Sequence, residues 1–116
     1  MVKAQYKLSE IRSAAKSFSF LLRNSGIKVS RLFLYGSYAR GEPRDYSDID
    51  IAIISPDFRG KSRMAIQETI AHSIVGRSGI LAAFEPIGYS TEEFTKADSA
   101  TFLGEIKSTG IPLARL

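Results

Sequence analysis

Apolar residues recur three and four apart near the start of the chain. Leu8, Ile11, Ala14 or Ala15, Phe18, Leu21 and Leu22 form one stripe of a helix predicted from Ser9 to Asn24. Ser9 is placed to cap it and Ser25-Gly26 to end it. Ile27-Lys28-Val29-Ser30 leads into Arg31-Leu32-Phe33-Leu34-Tyr35, a hydrophobic run that reads as a short buried strand. The run breaks at Gly36, where the backbone can turn tightly or approach a ligand closely. Ser37 is suited to cap the next segment, and Tyr38-Ala39-Arg40 to form the first turn of a short helix. Gly41 to Ser47 contains Gly, Pro, Asp and Ser and reads as a loop. A second strand comes next, Ile49-Asp50-Ile51-Ala52-Ile53-Ile54. Its alternation sets Asp48, Asp50 and Ala52 on one face and Ile49, Ile51 and Ile53 on the other.

Ser55 to Gly60 is a second loop. A helix is predicted from Ser62 to Val75, with Ile66, Ile70 and Ile74 on one face and Arg63, Gln67 and His72 off it. Arg77-Ser78-Gly79 ends it, and Ile80 to Glu85 reads as a third strand. Pro86 cannot donate to a sheet ladder, so it belongs at that strand's end or on an open edge. Ser90-Thr91-Glu92-Glu93 has capping-box spacing and starts a short helix containing Phe94. A last helix is predicted from Ser99 to Ser108, with Phe102, Leu103 and Ile106 inward and Gly110 as its stop. Ile111-Pro112-Leu113 either returns as a short strand or docks on the core. No repeat, low-complexity tract or linker interrupts the pattern. The expectation is one domain over residues 1–116, of the α/β (α+β) class, with a small mixed β-sheet and helices packed mainly on one face.

Composition narrows the function classes. The 116 residues are 44% hydrophobic and 24% charged, ordinary for a globular domain. No apolar run approaches the ~20 residues of a membrane helix, and the N-terminus lacks a secretory pattern, so a cytoplasmic location is expected. With no cysteine, neither a disulfide framework nor a thiolate metal site is available. The net charge of +4 comes from scattered basic residues, not a block. Outside the central motif it reads as a solubilising surface, and direct nucleic-acid binding is not favoured.

The chemistry concentrates between residues 36 and 50. Two carboxylates on one strand face, beside a turn whose exposed N–H groups suit a phosphate, are what a divalent-metal nucleotide site needs. Asp48 and Asp50 would lie ~6–7 Å apart at Cβ, leaving room for both to hold metal against one triphosphate. Asp is disfavoured in strands, and here it interrupts an Ile-rich one. Arg40 can neutralise phosphate charge or equally bond loop carbonyls; Arg44 has the same choice from the loop. Tyr38 and Tyr46 either stack on a base or cover the edge of the core. His72, the single histidine, is expected to be exposed.

An apolar residue, Gly36-Ser37, ten residues, then Asp48-Ile49-Asp50-Ile51 resembles the signature of the DNA polymerase beta-like nucleotidyltransferase superfamily. The size points to its minimal nucleotidyltransferase branch. The resemblance covers roughly Arg31 to Ser55, with a weaker continuation from Glu85 to Phe94. It implies a nucleotidyltransferase-like core that transfers a nucleoside monophosphate, AMP from ATP being the expected case, with two Mg²⁺ ions and release of pyrophosphate. Gly36 and Ser37, with Arg40, would bind the triphosphate, and Asp48 and Asp50 would hold metal. Glu85 is the best candidate for the family's third carboxylate, although it is Glu where Asp is commoner and Pro86 follows at once. The resemblance further implies an acceptor on a second chain, a small helical HEPN-type protein, this chain acting as antitoxin of a toxin–antitoxin pair. A homo-oligomer interface is another way to supply the acceptor platform. The alternative is a non-catalytic nucleotide-binding antitoxin that neutralises such a partner by complex formation.

Overall fold

The computed structural model describes residues 5–115, which form four strands and five α-helices. The opening helix, α1 (Leu8–Asn24), buries Ile11, Ala14, Ala15, Phe18 and Leu22. It starts one residue earlier than Ser9 predicts. Lys7 holds the cap position, its backbone N–H donating to Glu10 Oε1 at 2.9 Å. Leu8 consequently stays exposed and the working stripe begins at Ile11.

The strands β1 (Arg31–Tyr35), β2 (Ile49–Ser55), β3 (Phe84–Ser90) and β4 (Ile111–Arg115) form one sheet in the order β3-β2-β1-β4. β1 runs antiparallel to both β2 and β4, whereas β2 and β3 are parallel. A parallel pair needs a long crossover, and α3 (Arg63–Ile74) supplies it. Leu32, Leu34, Ile49, Ile51 and Ile53 face α1 and α3 in the larger core cluster. Phe33, Ala52 and Ile54 face the other way, against Phe94 of α4 (Thr91–Lys96) and Leu103 and Ile106 of α5 (Phe102–Thr109). The mixed sheet is as expected, and the two long helices share one face. The short α4 and α5 add a partial cover to the opposite one, which explains why β2 is buried along its length apart from Asp50.

Two expectations fail here. The third strand is not Ile80 to Glu85: Gly79–Ala83 is a 3₁₀ turn and the strand begins at Phe84. Glu85 therefore stands near the start of its strand, not late in it. Pro86 lies inside β3, which is an edge strand. Its carbonyl faces outward, accepting from Gln67 Nε2 at 2.9 Å, so its missing N–H is on the side where no ladder bond is lost. Gln67 Oε1 also accepts from the Gly88 N–H at 3.2 Å, and Arg63 Nη2 donates to the Gly88 carbonyl at 2.6 Å. Two α3 side chains thus stand in for a fifth strand along that edge. The second failure is Phe102: it opens α5, capped by Thr101, but is 55% exposed, not inward. The helix stripe is narrower than its apolar residues suggest, because only Leu103 and Ile106 reach the sheet. No helix among the described residues is long and apolar enough to cross a membrane.

Candidate active site

β1 ends at Tyr35 and the chain turns on Gly36 at φ +74°, a left-handed conformation that strains any L side chain. Space demands glycine as well. A Cβ at position 36 would land on Asp50 Oδ2 and lie 3.1 Å from its Cγ. The turn therefore closes directly over the Asp50 carboxylate. The four-residue α2 (Gly36–Ala39) follows, with Tyr35 at the cap position and Ser37 inside the first turn. The expected cap at Ser37 is not formed, because the glycine starts the turn one residue sooner. Tyr38 is buried and its hydroxyl accepts the Tyr6 N–H at 3.2 Å, so it belongs to the core.

The ladder brings the remaining groups into line. Tyr35 is opposite Asp50 and Asp50 is opposite Glu85, one row across β1, β2 and β3. This row shares its face with Phe33 and Ala52 but lies at the end of the sheet where Asp50 is only half-buried and Glu85 exposed. Asp48, just ahead of β2, completes the group. Its carboxyl comes close to that of Glu85: hydrogen bonding to Asp48 first, then the charge of Asp48, desolvation and the charge of Asp50, hold Glu85 above the usual carboxylate range. Asp50 is raised by burial first and by Asp48 second, while the Arg40 guanidinium pulls the other way. Arg40 is thus close enough to act on the carboxylates, and its contact with Glu42 is a loose 3.9 Å. Tyr35 is pushed up to about 12, by burial first and then by Asp50, Tyr89 and Glu85, so it remains a neutral phenol.

The loop before Asp48 is pinned. Arg44 N–H donates to Ser47 Oγ at 2.8 Å, Ser47 N–H to the Arg44 carbonyl at 3.0 Å, and Gln5 Nε2 to Asp45 Oδ1 at 3.0 Å. Arg44 and Tyr46 are exposed on it, Tyr46 at φ 62°, and His72 is exposed on α3.

The nucleotidyltransferase domain family matches the chain over residues 11–100, from α1 past α4. The chain belongs to that family. No curated protein matches it. Among solved structures it is similar to a Sulfolobus solfataricus protein, itself assigned only provisionally as a nucleotidyltransferase, with 16% identity and a TM-score of 0.65. The likeness covers 93% of this chain and 83% of that one, and at such identity it speaks for the fold alone.

Within this nucleotidyltransferase domain, Gly36, Asp48, Asp50 and Glu85 are brought together, with Arg40 in electrostatic reach. Ser37 follows in the same turn. Among the described residues, no three acidic or histidine side chains form a ready-made cage for an ion. An open, all-carboxylate set still suits Mg²⁺, which prefers hard oxygen donors, keeps several waters and completes its shell on substrate phosphates. Burial for Asp50 and hydrogen bonding to Asp48 for Glu85 are the first causes of their raised pKa, and the mutual repulsion of the carboxylates adds to both. Sequence reasoning missed Tyr35, although a signal was there: strand alternation from Phe33 puts it on the face of Asp50.

Proposed function

We propose that this domain transfers a nucleoside monophosphate, AMP from ATP being the expected case, to a hydroxyl of an acceptor. The observation that carries this is the row Asp50–Glu85 with Asp48 beside it, roofed by the Gly36 turn, which brings backbone against Asp50. Asp48, Asp50 and Glu85 would hold the Mg²⁺ ions, which when bound supply Lewis-acid stabilisation of the phosphate charge. Gly36 admits the triphosphate close to the backbone, Ser37 offers hydroxyl and amide donors, and Arg40 offsets charge on the leaving pyrophosphate. The acceptor oxygen bonds to the α-phosphorus as the bond from that phosphorus to the β-phosphate oxygen breaks. The acceptor's proton passes to a carboxylate of the site, Glu85 being the expected base, and from there to solvent.

The acceptor expected from the resemblance is a small helical HEPN-type protein, which makes this chain the antitoxin of a toxin–antitoxin pair. The test is incubation with α-labelled ATP, Mg²⁺ and such a partner. Label on the partner that falls roughly a thousandfold in Asp50→Asn supports transfer. Neutralisation of the partner by Asp50→Asn with no label in either protein would instead make this a binding module and overturn the enzymatic reading.

A further inference from the structure

A cavity of about 330 Å³ opens between α2 and α5, within the ~300–1,000 Å³ range of small-molecule sites. Tyr35, Ala39, Arg40, Phe102, Glu105 and Ile106 line it. Two of these tie it to the carboxylates: Tyr35 is the ladder neighbour of Asp50, and the Arg40 charge is felt there. Gly36, which roofs Asp50, lines it as well. The cavity is therefore a side chamber of the site.

Its walls are aromatic and apolar. The Phe102 ring meets Tyr35 edge-on, with centroids 5.7 Å apart and planes at 87°. Phe102 is nonetheless more than half exposed, although it opens a helix whose other apolar residues are buried. Ala39 and Ile106 complete the apolar lining. Glu105 lines the cavity too, and its carboxylate has no ion-pair or hydrogen-bond partner among the described residues. An ionised carboxylate can only accept hydrogen bonds.

We propose that this chamber receives the nucleobase of the substrate nucleotide, stacked on Phe102, and that Glu105 favours bases carrying an exocyclic amino group. The inference rests on the nucleotide-transfer reading above and adds the base to it. Adenine offers its exocyclic N–H to Glu105; hypoxanthine carries a carbonyl at that position and can offer the carboxylate only its neighbouring ring N–H, so it binds less tightly. Arg40, which lines the chamber and acts on Asp50, takes the phosphate end.

Calorimetric titration of the whole chain with ATP, ITP and inorganic tripolyphosphate, each with Mg²⁺, separates recognition of the base from recognition of the phosphates. Phe102→Ala should weaken ATP about tenfold and leave tripolyphosphate unchanged, while Phe102→Trp retains ATP binding. Glu105→Gln should bring the affinities of ATP and ITP to within about twofold of each other. Equal affinity of the wild type for ATP and tripolyphosphate would overturn the base chamber while leaving the phosphate site standing. So would an equal loss of both ligands in Phe102→Ala. Tripolyphosphate binding that is absent, or unchanged in Asp50→Asn, would instead sink the transfer reading on which the chamber depends. Phe102 and Glu105 are exposed, so circular dichroism should show all three of their variants folded as the wild type.

Discussion

At the residue scale the decisive contact is between Gly36 and Asp50. Two separate constraints meet there, a positive φ and an absence of space. Gly36→Ala should cost about 1–3 kcal/mol of stability, read from the midpoint of urea unfolding. Repeating it in an Asp50→Ala background should remove the steric part and leave the ~1–2 kcal/mol penalty of the left-handed backbone. Equal costs in the two backgrounds would show that the carboxylate does not occupy the space beneath the turn. The titration of Glu85 carries a second prediction. Its folded pKa is raised, so through the carboxylate range the folded chain holds a proton that the unfolded chain has lost. Its contribution to stability is full below the ordinary carboxylate pKa and is lost as pH rises through the elevated value. Thermal melts in chelator should accordingly show Glu85→Gln gaining on the wild type as pH rises from the ordinary carboxylate range toward neutrality. A constant difference would contradict the close approach of Asp48 and Glu85.

At the scale of elements, β3 explains both the site and the limits of reading sequence. α1 and the Gly36-to-Asp50 segment were legible because their signals are local: helical period in one, spacing and alternation in the other. β3 was not. Ile80 to Ala83 looks like a strand and Pro86 like its end, while the actual strand is defined by partners far away in the chain. Those are the parallel register with β2 and the Gln67 and Arg63 bonds from α3. Glu85 still falls beside Asp50, because β2 aligns the two wherever the strand begins. Phe102 misled for a related reason: a stripe tells which residues share a helix face but not how far the sheet beneath it extends. Gln67→Ala and Arg63→Ala should each cost about 1 kcal/mol and, in combination, raise light scattering on heating as the edge is uncovered. Gly88 is the tight point of the same junction. An added Cβ would meet Ile66, Phe58 and Ile70 side chains at 2.6–2.9 Å, so Gly88→Ala should cost about 1–3 kcal/mol by overpacking.

Across the whole molecule, one face of the sheet is divided between two tasks. Phe33, Ala52 and Ile54 are sealed beneath Phe94, Leu103 and Ile106, and the remaining end carries the carboxylates. Phe33 and Phe94 stack at 5.5 Å, with the Arg31 guanidinium 5.2 Å over the Phe33 ring. A firmly packed half holds the acidic end in register, so ligand binding should stabilise the entire fold. Mg²⁺ with ATP at about a hundred times its dissociation constant should add about 2.7 kcal/mol to unfolding, an increment that Asp50→Asn abolishes. Retention of the increment in that variant would place the ligand elsewhere.

The carboxylate of Asp50 fills the volume that any side chain at position 36 would need. A side chain at position 36 can therefore be accommodated only after residue 50 has been shortened, and then still at the cost of its left-handed backbone. A descendant released from nucleotide chemistry could shorten residue 50 and then accept a methyl group at 36, a paired scar recognisable in any lineage that bears it. This chain carries the glycine and the aspartate together.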